Sequence, residues 1–384
     1  MSIYLDHAAT TPICDEAKQA MLEAMDVYGN PSSTHASGRR ARALIERVRK
    51  DIASRLNCLP AEIIFTSGGT EADNWAIRSA VDDLGVTHMY TSAMEHHAVG
   101  HSTDHFQSSC TLHIIPNDED GVLDLDWLES RLADHSASDE KVLVTLMHAN
   151  NEIGNLLDLK RVADMCIQYG AVCHSDTVQS MCHYPLDFQE LKVDYAACAA
   201  HKFHGPKGVG FAFVRQGRSG APLIHGGAQE RGHRAGTENT VGIAGLGAAF
   251  VTAVDNMEEE AAHMKDVKQY AIDLLKEHFP SVTFNGLCAD IDRSLYTVLN
   301  FHIPELHSAS MMTFQLDING IQASGGSACS SGSSKGSHVL AALGRPSGTR
   351  ISFARFTTRE DIDALLKALL KIREDIKLLA PAAQ

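Results

Sequence analysis

Two apolar stretches of this chain run into ionisable side chains of opposite sign. "AVCHSD" (171–176) closes on Asp176, with Gln179 three residues further on. "VDYAACAA" (193–200) runs directly into His201 and Lys202. A third stretch, "EIIFTS" (62–67), passes through Ser67-Gly68-Gly69-Thr70 into a helical pattern. Small residues there let backbone amides face outward, and a helix N-terminus favours an anion. An ordinary strand-to-helix turn with a Thr cap and an acidic first turn accounts for the same residues equally well. The turn matches neither the Walker lysine pattern nor GxGxxG, so it does not favour a nucleotide.

An aspartate and a lysine on neighbouring strand ends, beside a phosphate-type turn, suit pyridoxal phosphate. The amine of Lys202 condenses with the aldehyde, and the carboxylate of Asp176 keeps the pyridine nitrogen protonated so that the ring accepts electrons. Without the turn, an ion pair at a sheet rim is the commoner explanation. Lys207 competes with Lys202, but its Gly-Pro-Lys-Gly context predicts a turn that points it to solvent. His96 follows another apolar stretch, and its imidazole can stack on a flat cofactor. His97, His101 and His105 repeat at i, i+4 and resemble metal ligands by spacing alone. They lack HExxH and a well-placed carboxylate, so a solvated helix face is the better reading and no metal is expected.

Cys329 lies within "ASGGSACSSGSS" (323–334). A structural thiol packs among apolar neighbours, and these flanks offer none. Glycines give a tether reach, and small side chains let a thiol enter a cleft. Such a thiol becomes a better nucleophile where a cationic site stabilises its thiolate.

The elements that must position these groups follow from the hydrophobic pattern. Apolar runs at 62–67, 87–92, 111–116, 141–149, 171–176 and 193–200 read as strands, and helical patterns separate several of them. That alternation predicts an α/β fold with a mostly parallel sheet covered on both faces. Ligands of such sheets bind beyond the carboxyl ends of the strands. "GPKGVGFAFVR" (205–215) reads as a turn and a further strand, and a long helical segment spans roughly 239–278. Shorter strands and a final helix from Arg359 to Leu379 follow, giving a smaller α+β domain. The expected division is 15–255 for the large domain, with 1–14 and 256–384 forming the small one.

The 384 residues are 44% hydrophobic and 21% charged, with a formal net charge of −15. This balance suits a soluble globular protein and argues against nucleic acid or an anionic membrane as partner. No apolar run reaches about 18 residues, so no membrane-spanning helix is expected. Nine cysteines without CxxC pairs, and no evident signal peptide, suit a reduced cytoplasmic setting.

The motifs "YLDHAATTP", "GNPSSTHASGRRAR", "IIFTSGGTEADNWAI", "MEHHAV", "MHANNEIG", "HSDTVQS", "AHKFHGPKGVG", "GGAQERGHRAGTEN", "SGGSACSSGS" and "ISFARFTTREDID" span nearly the whole chain. In this order they resemble cysteine desulfurases of the NifS/IscS type, in the class V aminotransferase family of fold-type I pyridoxal-phosphate enzymes. The resemblance implies a seven-stranded-type sheet and a homodimer with composite active sites. It implies Lys202 as the cofactor lysine, Asp176 on the pyridine nitrogen, Gln179 on the ring hydroxyl and His96 stacked on the ring. Gly69, Thr70 and His201 would hold the phosphate, joined by Thr237 from a second subunit. Asn150 and Arg355 would hold the substrate carboxylate, and Cys329 would accept sulfur as a persulfide. The implied reaction turns L-cysteine into L-alanine and delivers sulfur to an acceptor or scaffold protein, as in iron–sulfur cluster assembly or tRNA thiolation. A selenocysteine lyase or an aminotransferase is the alternative on the same fold, since fold does not fix reaction. Ala199 departs from the pattern, because many relatives carry a serine there.

Overall fold

The computed structural model describes residues 2–218, 220–306, 309–325 and 336–379. Twelve strands are present among the described residues. They are β1 (Ile3–Tyr4), β2 (Ile63–Thr66), β3 (His88–Thr91), β4 (Thr111–Ile114), β5 (Val142–Thr145), β6 (Val172–Asp176), β7 (Tyr195–Ala199), β8 (Gly210–Val214), β9 (Thr283–Phe284), β10 (Val298–His302), β11 (Ile321–Gln322) and β12 (Thr349–Ser352). The helices of the first half are α1 (Asp15–Met25), α2 (Ala36–Arg55), α3 (Gly69–Arg78), α4 (His97–His105), α5 (Leu125–His135) and α6 (Leu159–Tyr169). The second half adds α7 (Phe188–Leu191), α8 (Thr240–Asp255), α9 (Met257–His278), α10 (Ala309–Ile318), α11 (His338–Ala342) and α12 (Arg359–Leu379).

The large sheet has seven strands in the order β2-β8-β7-β6-β5-β3-β4. The pairs from β7 through β4 are parallel, and β8 runs antiparallel to both of its neighbours. Every residue of β2, β5, β6, β7 and β8 is buried. This is why their sequences are near-continuously apolar rather than alternating. One apolar cluster joins α2, α5, α6 and α8 to one side of the sheet, and a second joins α3 and Val99 of α4 to the other. Asp124 and Asp158 cap α5 and α6 by accepting the backbone N–H of Trp127 and Arg161. The mostly parallel α/β sheet expected from the sequence is therefore the one observed.

A separate cluster is built from Leu5, α9, β10, β12 and α12 around residues such as Phe279, Leu299 and Leu369. Its three-stranded antiparallel sheet has the order β12-β10-β9, while β1 pairs in parallel with β11. The helical segment expected over 239–278 is broken. Asn256 adopts φ −108°, ψ 9° between α8 and α9, which are bent by 73°. Asn favours helix termini because its side chain competes for backbone hydrogen bonds; here it accordingly donates to Thr252 O. The break lets α8 pack on the large sheet and α9 on the smaller core. Among the described residues no single helix is long and apolar enough to cross a membrane.

Candidate active site

The carboxyl ends of β6 and β7 open onto a cleft of about 230 Å³. The end of β6 supplies Asp176 and the turn behind it supplies Val178 and Gln179. The turn after β7 supplies His201 and Lys202, α3 supplies Gly69, Thr70 and Asp73, and His96 precedes α4. Seven residues singled out in the sequence thus meet in one place: Gly69, Thr70, His96, Asp176, Gln179, His201 and Lys202.

Asp176 is buried, and its Oδ1 accepts the Val178 backbone N–H at 2.9 Å. Burial pushes its carboxyl above the usual range, while His96 and Lys202 pull it back. His96 Nδ1 accepts the Ala98 N–H at 3.1 Å, so the ring's remaining proton sits on Nε2. Burial lowers its pKa, and the neighbouring Asp176 opposes that shift. His201 is driven down to about 4 by burial, Lys202 and Lys207, and its Nδ1 lies 3.2 Å from Thr10 Oγ1. The His201 imidazole is therefore neutral near pH 7.

The Lys202 ammonium donates to Ala8 O at 2.6 Å and Ala9 O at 3.0 Å, and Gln179 Nε2 also donates to Ala8 O. The segment 6–12 thus runs along the lysine turn, held by Thr11 N to His201 O at 2.9 Å. Gly68 adopts φ +153°, and a Cβ on Gly69 would lie 2.6 Å from Val178 Cγ2. Both positions at the start of α3 therefore favour glycine, beside the cleft that Gly69 and Thr70 line.

Other expected residues fall elsewhere. Asn150 is a buried turn residue: its Oδ1 accepts from Glu152 and Ile153 N–H, and its Nδ2 donates to Met94 O. The next residue, Asn151, lines the cleft instead. Arg355 lies past the end of β12, where its guanidinium bonds Glu260 at 2.9 Å and sits over Phe356. Arg350, within β12, lines the cleft and is 1% exposed. It donates to Asn151 O at 2.7 Å and Asp6 Oδ1 at 2.9 Å, while its Nε has no hydrogen-bond partner among the described residues. Thr237 is exposed and outside the cleft, Lys207 is exposed as its turn implies, and Cys329 lies outside the described residues. Ala8, Ala9, Asp73, Asn151 and Arg350 were not anticipated as cleft residues.

The family Aminotransferase class-V matches residues 3–365. The chain belongs to the class V aminotransferase family. This is a family of pyridoxal-phosphate enzymes. Among relatives of this class V chain, "Cysteine desulfurase IscS" of Dictyoglomus turgidum is 38% identical, over 100% of this chain and 97% of its own. A solved "NIFS-LIKE PROTEIN" superposes with TM-score 0.88 at 32% identity, covering 99% of this chain and 100% of its own. "SspA in complex with cysteine" gives TM-score 0.78 at 27% identity, covering 93% and 100%.

The cleft suits the cofactor of the class V family on its own chemistry. It offers the amine of Lys202, the buried carboxylate of Asp176, the neutral imidazole of His201 and a helix start where a Cβ on Gly69 would meet Val178.

Proposed function

We propose that this enzyme is a cysteine desulfurase, converting L-cysteine to L-alanine and leaving the sulfur on Cys329 as a persulfide. The observation that carries the reading is that Lys202, Asp176 and Arg350 line one cleft. Its relatives' names and the cysteine complex of a structural neighbour agree with it.

Lys202 would hold pyridoxal phosphate covalently, Asp176 would face the pyridine nitrogen, Gln179 the ring hydroxyl and His96 the ring face. Gly69, Thr70 and His201 would hold the phosphate. When bound, the cofactor supplies an electron sink for charge developing at the substrate's Cα. Lys202 would move the Cα proton. We assign the substrate carboxylate to Arg350 with Asn151 beside it, in place of Arg355 and Asn150. A buried guanidinium with an unpartnered Nε suits a planar carboxylate. The Cys329 thiolate then attacks the substrate sulfur. An S–S bond forms as the Cβ–S bond breaks, and protonation of the carbon gives alanine.

Both flanks of the cysteine segment support its reach. Ser324 and Arg350 exchange two backbone hydrogen bonds, at 2.7 and 3.1 Å. His338 donates from Nε2 to Glu95 O and packs on His97, next to the cleft's His96. Five residues from Ser324 span at most roughly 17 Å. The exposed Thr237 supports a two-fold dimer in which it completes a partner's phosphate site. The break at Asn256 and the packing of Leu5 in the second core support the division into 15–255 and 1–14 with 256–384. A sulfur-acceptor protein completes the cycle.

The test is product analysis with L-cysteine on the cofactor-loaded protein. Alanine formed together with a persulfide on Cys329, and neither with Cys329→Ser, is the expected result. Alanine at the wild-type rate from Cys329→Ser, or amino-group exchange with a 2-oxo acid instead, overturns it.

A further inference from the structure

A second cluster of titratable side chains lies at the edge of the large sheet. His88 opens β3, and Tyr90 two residues on shares its face of the strand. In the register of β3 with the edge strand β4, Tyr90 is paired with His113. His113 therefore stands on that same face, its ring stacked on Tyr90 at 4.5 Å between centroids. The last turn of α5 brings His135 over the pair. One ligand nitrogen from each of His88, His113 and His135 lies within 4.8 Å of the other two.

Glu140 decides which nitrogens face inward. Its carboxylate meets His135 Nδ1 at 2.7 Å and His88 Nε2 at 3.3 Å. A carboxylate only accepts, so each of these nitrogens carries the ring's proton. The lone pair of His88 Nδ1 then faces His113 Nε2, and that of His135 Nε2 faces the Tyr90 hydroxyl. Nδ1 of His88 and Nε2 of His113 are 3.0 Å apart, and Tyr90 donates its hydroxyl to His135 Nε2 at 2.8 Å. A carboxylate fixing the far nitrogen of a ligating histidine is the usual outer support of a metal site. The pKa of His113 is lowered by burial, by His88 and His135, and by Arg131. Arg131 is itself paired with Asp134.

We propose that His88, His113 and His135 form a binding site for a zinc-type divalent ion, with Glu140 orienting two of the three ligands. Three imidazoles suit Zn²⁺, with a water in the fourth position. His113 moves its proton from Nε2 to Nδ1, and the Tyr90 hydroxyl turns from His135 to the bound water. The ion ties the edge strand β4 and the end of α5 to β3. The site lies away from the strand ends that form the cleft, and it is not the i, i+4 series His97, His101 and His105.

Untagged, cofactor-loaded protein titrated with Co²⁺ and with Zn²⁺ tests this. Wild type should bind one ion per chain, give the intense visible absorption of low-coordinate Co²⁺, and melt at a higher temperature with Zn²⁺. His113→Ala and His135→Ala should lose all three signals, and Glu140→Gln should weaken binding roughly 10–100-fold. His97→Ala/His101→Ala should bind as wild type does. Should an alanine variant fail to fold, Glu140→Gln, which preserves shape, decides the matter. Absence of saturable binding, or binding unaffected by these substitutions, overturns the site.

Discussion

The cleft and the histidine cluster both gather ionisable groups from separate elements, yet they satisfy them differently. In the cleft, Arg350 Nε is buried without a hydrogen-bond partner among the described residues, while Asp73 Oδ1, also without a hydrogen bond, lies 3.3 Å from His174 Nε2. Asp73 is pushed well above the usual carboxylate range by burial and by the charges of Asp176 and Glu95. At the sheet edge, His88, His113, His135, Tyr90 and Glu140 partner one another. Buried polar atoms left open are costly, and one that lines a cleft can be completed by a bound molecule. Substitutions should therefore divide cleanly: those in the cleft act on turnover, and those at the edge act on metal binding and stability.

The largest effect expected is from Lys202→Ala, which on the proposed reading loses both the covalent hold on the cofactor and the base. Turnover should fall by more than about 10³-fold, since a positioned acid–base group alone contributes 10²–10⁴. Borohydride reduction followed by peptide mapping should fix cofactor to Lys202 in wild type and in Lys207→Ala, but not in Lys202→Ala. A label on Lys207 refutes the assignment.

The two arginines of β12 and its extension give the next contrast. Arg350→Lys should cut kcat/KM for cysteine by roughly 30–1000-fold. That range corresponds to about 2–4 kcal/mol for a lost charge-assisted pair. Arg355→Lys touches only a partly exposed ion pair with Glu260 and should change the same constant less than about fivefold. Equal effects would erase the distinction drawn from their positions.

A smaller, pH-dependent effect belongs to the histidines buried in neither site. His148, on Ser180 Oγ at 2.9 Å, and His183 are both held down to about 4 by burial. As pH falls below about 6.5, the unfolded chain takes up protons that the folded chain refuses. Stability is thus fully present above that pH, declines as pH falls, and levels off near 4. The melting temperature of His148→Gln should fall less steeply across this window than that of wild type. Parallel curves would show that His148 does not titrate as described.

The smallest effect is expected of His113→Ala on catalysis. Steady-state desulfuration without added metal should stay within about twofold of wild type, because the cluster shares no residue with the cleft. A large loss would join the two regions.

Most of the cleft was legible because its groups follow apolar strands directly, and strand ends converge in a parallel sheet. The arginine was harder. "TRISFARF" holds two guanidinium groups, and only the fold shows that Arg350 lines the cleft while Arg355 bonds Glu260. Likewise "HANNEIG" offers adjacent asparagines, and only the turn geometry shows that Asn150 spends its oxygen on the N–H groups of Glu152 and Ile153. The histidine cluster had no local signal at all. Its members come from two paired strands and a helix end, so register rather than spacing assembles it, while the visible i, i+4 series drew attention elsewhere. The kink at Asn256 was hidden by an apolar segment running without pause into an amphipathic one.

The segment 6–12 has a consequence for how the protein comes into being. It supplies the carbonyl groups around Lys202, yet the strand leading into it, β1, finds its partner only in β11, where Ile3 meets Ile321. On the ribosome Ile3 emerges long before Ile321 exists, and chains grow at only about 5–20 residues per second. About 120 residues separate the lysine turn from β11, so for roughly 6–24 s the turn can exist without its full lining. Maturation of the cleft is thus a late event in synthesis, and a nascent chain halted before β11 should carry every strand of the large sheet and still lack a finished site.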